Sequence, residues 1–333
     1  MSKLTVTSSP HIFTPRTTRS IMLDVLIALL PAAVASVILF GFSSLMVILT
    51  CMAAAVLSEL VFNLICKKEQ TIGDLSSAVT GLLLALNLPA TIPLWQAALG
   101  AIFAIVVVKC LFGGIGQNFA NPAITARIFL LLSFSGTMTA AVFPQNADVV
   151  SGAPPLGVLS GQEGTLPTYL DLFLGKCGGA LGETCALTLL IGGVYLLCRK
   201  VITWHIPVSF IGTVALLTLI FGSKNGGGYT HVEWMLDNLL SGGLLLGAFF
   251  MATDYSTSPV TAPGRIIYGV GCGALTVLIR YFGSYPEGVS YGILIMNLCT
   301  WAIDKAFRRH QFGVSKEDIA AEKAAKKAAK EGA

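Results

Sequence analysis

The chain has 333 residues, 54% of them hydrophobic and 11% charged, with a formal net charge of +4. Soluble domains average about 25% charged residues, so the composition excludes a soluble enzyme or nucleic-acid-binding domain and indicates an integral membrane protein. The basic surplus sits at the ends of apolar runs, where membrane topology places it, and does not imply nucleic acid.

Residues 1–20 are polar and lack a small-residue cleavage site behind an apolar core, so the first apolar run is expected to direct insertion itself. Apolar runs then recur at about 21–40, 43–66, 75–91, 93–112, 119–135, 179–198, 202–222, 238–253, 264–283 and 288–307. Most have the roughly 20 residues that cross a bilayer core, although the third and eighth are short and interrupted by glycine. Threading the chain from a cytoplasmic N-terminus puts Lys3, Arg16, Arg19, Lys67, Lys68, Lys109, Arg199, Lys200, Arg265, Lys305, Arg308 and Arg309 at inner ends. Lys176, Lys224 and Arg280 fall at outer ends, and Arg127 within the fifth span. This bias predicts a multi-pass topology with both termini cytoplasmic.

The expected fold is all-α: a polytopic membrane protein of about ten transmembrane helices in two inverted five-helix repeats, with broken or short helices. The repeat reading rests on Ser77–Leu84 against Ser241–Gly247, and on Gly113–Asn118 against Glu287–Gly292. An odd number of spans per half requires the halves to be inverted, and matched glycine breaks then point to a central binding site. The expected organisation is a cytoplasmic segment 1–20, a first repeat 21–135, an extracytoplasmic loop 136–178, a second repeat 179–307 and a charged tail 308–333.

Four polar features carry the chemistry. The run Phe112–Ala123 places three glycines, Gln117, Asn118, Asn121 and Pro122 between apolar spans. Irregular backbone at membrane depth survives only where protein covers it or it lines a cavity, so Asn118 and Asn121 either meet a ligand or satisfy broken-helix backbone. Gly182-Glu183-Thr184 opens the sixth span; it reads as a phosphate-binding helix N-terminus or as a cap in which Glu183 complements the dipole. Asp254, among Thr253, Ser256, Thr257 and Ser258, reads either as a Na⁺ or H⁺ site or as a cap paired to Arg265. Asp304 and Lys305 read as interfacial anchors. The eight cysteines form no Cys-x-x-Cys pair, and His205 and His231 lack partners at ligand spacing, so no metal or iron–sulfur site is expected. No catalytic residue is assigned.

These motifs together resemble the RnfD family of membrane subunits from Rnf electron-transport complexes. They resemble less closely its relative, the NqrB family from sodium-pumping NADH:quinone reductases. The matching stretches are Ser9–Ile12 with Ile21–Ala32, Phe112–Ala123, Ser151–Ala153, Gly182–Thr184, Met251–Asp254 with Thr257–Pro259, and Tyr285–Tyr291 with Met296-Asn297. The resemblance implies a membrane subunit of a redox-driven ion pump in the bacterial cytoplasmic membrane. Such a pump passes electrons between ferredoxin and NAD⁺ and moves Na⁺ or H⁺, and the partners are the other subunits of that complex. It further implies FMN at Ser151, Gly152, Ala153, Pro154, Gly182, Glu183 and Thr184, and riboflavin at Asn118 and Asn121. The family attaches FMN through its phosphate to a threonine after Ser-Gly-Ala; here that position is Pro154, which has no hydroxyl. The expectation is therefore FMN held without the covalent bond. The rival readings are a channel or solute transporter of the same inverted-repeat architecture, and a structural subunit of the complex without flavin.

Overall fold

The computed structural model describes residues 16–140, 142–144, 154–162, 166–223, 230–283 and 287–307. Among them there are fourteen α-helical segments and no strand. The first half contains α1 (Thr18–Phe40), α2 (Phe42–Ile65), α3 (Ser76–Leu86), α4 (Leu94–Ile102, continuing as a π-helix over Phe103–Cys110) and α5 (Pro122–Ser133). Three short helices follow, α6 (Ser135–Met138), α7 (Pro155–Leu159) and α8 (Tyr169–Leu174), in the stretch the sequence reads as a loop. The second half contains α9 (Ala186–Cys198), α10 (His205–Phe221), α11 (His231–Leu240), α12 (Leu244–Leu246, continuing as a π-helix over Gly247–Met251), α13 (Ala262–Phe282) and α14 (Val289–Ala306).

Among the described residues, three helices are long and apolar enough to cross a membrane: α1, α2 and α13. The pair of α11 and Leu244–Met251, bent by 63°, makes a fourth if taken as one span. The first, second, fourth, seventh, ninth and tenth expected spans match α1, α2, α4 with its π-helical continuation, α10, α13 and α14 to within about three residues. The other expected boundaries need correction. The third span, 75–91, contains only the 11 residues of α3, and the fifth and sixth contain 12 and 13. Eleven residues reach roughly 16 Å, about half a bilayer core. Every residue of α3 is buried, so protein rather than lipid surrounds its ends, and the helix has no need to span the full thickness. The eighth span breaks at Ser241–Gly243, where Gly242 takes φ +73°, a left-handed conformation that glycine adopts without strain.

Packing follows the same logic. The long helices present Ile38, Leu57 and Ile65 outward and reserve small residues for contact. α2 packs on α3 and on α4; α10 packs on α11 and on α13; α1 meets α9 across the centre, and α5 meets α14. Small residues let membrane helices approach closely, where dispersion replaces the hydrophobic drive that lipid cannot supply. Gly192 of α9 is a tight case at the α1–α9 crossing: a Cβ there would stand 2.2 Å from the Ala28 carbonyl oxygen and 2.9 Å from Phe250.

Because the opposing atom at Gly192 is backbone, a side chain cannot be relieved by a rotamer change. Gly192→Val is expected to cost about 1–3 kcal/mol through overpacking, read as a lower thermal midpoint and a lower folded yield in detergent. Gly73→Ala, where a Cβ meets nothing within 4 Å, should leave both measurements near wild type.

Candidate functional site: two cavities at opposite ends of buried helices

Polar residues that interrupt the apolar pattern gather at two cavities. The larger, about 340 Å³, sits at the C-terminal end of α3 and the N-terminal end of α14. Its walls include Pro89, Ile128, Leu131, Pro154, Leu156, Ala180, Glu183, Thr184, Ser241 and Tyr291. At its base lies Arg127 of α5, 4% exposed. The Arg127 guanidinium donates to Asn87 Oδ1 at 2.7 Å, to Glu183 Oε1 at 2.6 Å and to the Glu287 carboxylate. Beside it Arg280 of α13, also buried, donates to the Asn238 carbonyl at 2.6 Å and to the carbonyls of Ser241 and Glu287, each at 3.3 Å. Two guanidinium groups thus face two carboxylates and a ring of carbonyls. Burial of ions is tolerated only with pairing and hydrogen bonding of this completeness. The hydroxyls of Thr184 and Ser241, both on the cavity wall, are buried without a hydrogen-bond partner among the described residues.

The smaller cavity, about 170 Å³, lies at the opposite ends of α3, α5 and α9. Ile21, Met22, Val79, Leu83, Phe249 and Phe250 supply its apolar wall; Ser76, Thr80, Lys109, Asn118, Asn121, Thr253 and Asp254 supply its polar one. Asn121 caps α5: its Oδ1 accepts from the backbone N–H of Ala123 at 3.0 Å and of Ile124 at 3.3 Å, while its Nδ2 donates to the Met251 carbonyl at 3.1 Å. Asn118 Oδ1 is buried with no partner among the described residues. Asp254 Oδ2 accepts from Ser256 Oγ at 3.0 Å and Thr257 Oγ1 at 3.2 Å. Met251 connects the two ends, because Asn87 Nδ2 also lies 3.7 Å from its sulfur.

A family model described as "NQR2, RnfD, RnfE family" matches residues 5–313. The chain belongs to this family. It is 46% identical over 316 residues to the D-subunit of the Na⁺-translocating ferredoxin:NAD⁺ oxidoreductase complex of Acetobacterium woodii, covering 94% of this chain and 96% of the relative. It is 42% identical over 322 residues to the D-subunit of the proton-translocating ferredoxin:NAD⁺ oxidoreductase complex of Clostridium ljungdahlii, covering 93% and 96%. With the D-subunit of the ion-translocating oxidoreductase complex of Escherichia coli K12 it shares 34% over 350 residues, covering 92% and 98%. Together with the apolar helices, membership indicates a multi-pass membrane protein.

In this family member the expected site residues divide between the cavities. Pro154, Glu183 and Thr184 line the larger; Asn118, Asn121 and Asp254 line the smaller together. Ser151, Gly152 and Ala153 lie outside the described residues, as do the N-terminal segment before Arg16 and the charged tail after Phe307. Gly182 is off the wall. Its N–H donates to the Leu86 carbonyl at 2.7 Å, and a Cβ there would stand 2.7 Å from Leu86 Cβ, so this glycine seats the loop on α3.

Several sequence expectations change. Glu183 neither caps α9, which starts at Ala186, nor stands free at a helix dipole, because it is spent on Arg127. Asp254 is not paired to Arg265, whose side chain donates to the Pro259 carbonyl and Thr203 Oγ1. Lys109 and Arg280 are not exposed at the span ends; both are buried. Lys109 Nζ lies 2.8 Å from Glu59 Oε1 and 2.7 Å from Ser76 Oγ. Sequence reasoning missed Glu59, although an acid inside the apolar run of α2, matched by a lysine inside that of α4, is the available signal. Asp304 Oδ1 accepts from the Val260 N–H at 3.0 Å, fastening the loop before α13 to α14. Among the described residues no group of three or more His, Cys, Asp or Glu is placed to hold a metal ion.

The two cavities differ in how they fit an isoalloxazine ring. The larger lies within the roughly 300–1,000 Å³ of small-molecule sites and has unpartnered hydroxyls and a guanidinium beside apolar walls, so its residues fit. Pro154 on that wall excludes a phosphoester at its own position. The smaller cavity has fitting donors and acceptors but room for only an edge of such a ring.

Arg127→Met should leave Glu183 buried without its counter-charge. A loss of about 3–5 kcal/mol is typical for one partner of a buried pair, so the thermal midpoint in detergent is expected to fall sharply. The double change R127M/E183Q, which removes one charge of each sign and leaves buried Arg280 beside Glu287, should recover most of that loss.

Proposed function

We propose that this chain is a flavin-carrying membrane subunit of an ion-translocating ferredoxin:NAD⁺ oxidoreductase complex, built from two inverted five-helix repeats. The observation that carries the reading is the pair of polar-lined cavities at opposite ends of short helices, of which α3 is buried along its whole length, in a chain similar along nearly its full length to the D-subunits of two such complexes. The repeat reading is supported by matched packing: α2 lies on α3 and α4 as α10 lies on α11 and α13. On that topology the smaller cavity faces the cytoplasm and the larger faces outward, with both termini inside.

Flavins supply one- and two-electron redox chemistry. Toward FMN in the larger cavity, Thr184 and Ser241 offer hydroxyls with no other partner among the described residues, and the Arg127 network holds a fixed positive group beside them. Pro154 leaves the attachment non-covalent unless Ser151 substitutes. Toward riboflavin at the smaller cavity, Asn118 is the residue with an acceptor to spare, whereas Asn121 shapes the wall by capping α5. Asp254, in the same cavity, is the ion-path residue, with Ser256 and Thr257 holding its carboxylate. Ferredoxin and NAD⁺ dock on other subunits of the complex. The described cysteines are all free and dispersed, and no Gly-x-Gly-x-x-Gly turn occurs in the sequence.

Acid extraction of the purified complex should release FMN and riboflavin, while this protein's band on a denaturing gel shows no flavin fluorescence. A fluorescent band would reject non-covalent binding, and colourless complex would reject the flavoprotein reading in favour of a transporter or a structural subunit. Asn118→Leu should lower riboflavin content with assembly retained. Asp254→Ala should reduce cations moved per electron, measured with reconstituted complex in vesicles; unaltered pumping would remove Asp254 from the path.

A further inference from the structure

Glu59 of α2 and Lys109 form an ion pair that the proposed function leaves without a role. Their side chains are 2% and 3% exposed. An ion pair at such depth gains little net stability, because the desolvation of both charges offsets their attraction, and ionisable groups within membrane helices are by default functional.

Three features give this pair a direction. Lys109 is carried on the π-helical end of α4, and π-segments interrupt helices mostly where function needs a side chain re-aimed. Its ammonium has three N–H groups. Two donate to Glu59 Oε1 and Ser76 Oγ, the third has no partner among the described residues, and the group lines the smaller cavity with Asn118 and Asp254. Glu59 Oε1 also accepts from Thr71 Oγ1 at 2.7 Å, whereas Glu59 Oε2 and the Ser77 hydroxyl are buried with no hydrogen bond of standard geometry. Lys109 therefore has a second place to go, and Glu59 has an unused oxygen next to a hydroxyl. The other charged groups nearby are Asp74, joined to the pair through Ser76, and Asp254 across the cavity.

We propose that Glu59 and Lys109 form a charge-compensating switch that couples the arrival of an electron at the smaller cavity to the uptake of one cation at Glu59. The proposal rests on the reading that this cavity holds the edge of a reducible flavin ring. One electron enters the ring from a one-electron donor of the complex. The Lys109 ammonium turns from Glu59 to the added negative charge. Glu59, left as an uncompensated buried carboxylate, takes one H⁺ or one Na⁺ at Oε2, with Ser77 and Thr71 as hydroxyl neighbours. When the electron leaves, Lys109 returns and the cation is expelled. One charge enters with each electron and one leaves with it, so the interior stays neutral throughout.

The test uses the intact complex carrying Glu59→Gln, Lys109→Met or both. Bound flavin is titrated electrochemically over a range of pH at fixed Na⁺ and over a range of Na⁺ at fixed pH; the signal missing in Asn118→Leu marks the flavin of this cavity. In wild type its midpoint potential should move with one of the two cations, by one cation per electron. Glu59→Gln should abolish that dependence with riboflavin retained, and Lys109→Met should make the ring harder to reduce. The double variant, which removes both buried charges and so avoids stranding either, should fold in wild-type yield and show no cation dependence. Wild-type dependence in Glu59→Gln or in the double variant, with riboflavin bound, overturns the switch. Absence of riboflavin from the wild-type complex instead overturns the functional reading on which the switch rests.

Discussion

A guanidinium buried within a helical bundle has to be satisfied from every side, and Arg127 is satisfied only by joining distant parts of the chain. Asn87 reaches it from the end of α3, Glu183 from the loop before α9 and Glu287 from the start of α14. Those partners lie 40, 56 and 160 residues away in sequence. The network therefore ties the first half of the molecule to the second, and it does so at the point where several helices stop short. Arg280 extends it by gathering the carbonyls freed where α11 breaks. Without such partners the broken backbone would face the several-kcal/mol cost of unsatisfied groups in hydrocarbon.

The stopping points of the helices create the two cavities. Asn87 follows the last residue of α3, Asn121 precedes the first of α5, and Leu244–Met251 ends near both. Each asparagine turns a helix end into a polar wall, and Met251 contacts both, through its carbonyl and its sulfur. A displacement of Met251 would be felt at both ends of the bundle. The two ends nevertheless differ in chemistry. The larger cavity is built on balanced charges locked to one another, with hydroxyls unpartnered among the described residues; the smaller has a lysine with one N–H unpartnered among the described residues and a carboxylate held by hydroxyls and backbone N–H groups.

The long apolar helices are legible in sequence because lipid-facing surfaces impose composition as well as length: α1, α2, α10, α13 and α14 lie where hydropathy puts them. The short ones read as longer than they are. An apolar residue facing protein looks like one facing lipid, so the run 75–91 gives no sign that α3 stops at Leu86. Among the site residues, Asn118, Asn121, Glu183, Thr184 and Asp254 stand out as polar interruptions, and each lines a cavity. Their partners do not stand out. Glu183 reads as a helix cap until Arg127 is brought to it, and Lys109 reads as a topological anchor until Glu59 is found against it.

The sequence by itself determined that the chain is helical, apolar and interrupted at particular polar points, because periodicity, hydropathy and glycine or proline breaks are local properties. It also determined that Pro154 offers no hydroxyl for a phosphoester. The tertiary structure decided which interruptions share a cavity and which charges neutralise one another. Pairing across 50 or 160 residues leaves no local pattern; it follows from helices that stop short inside the bundle and from the desolvation cost that drives each buried charge to find its opposite.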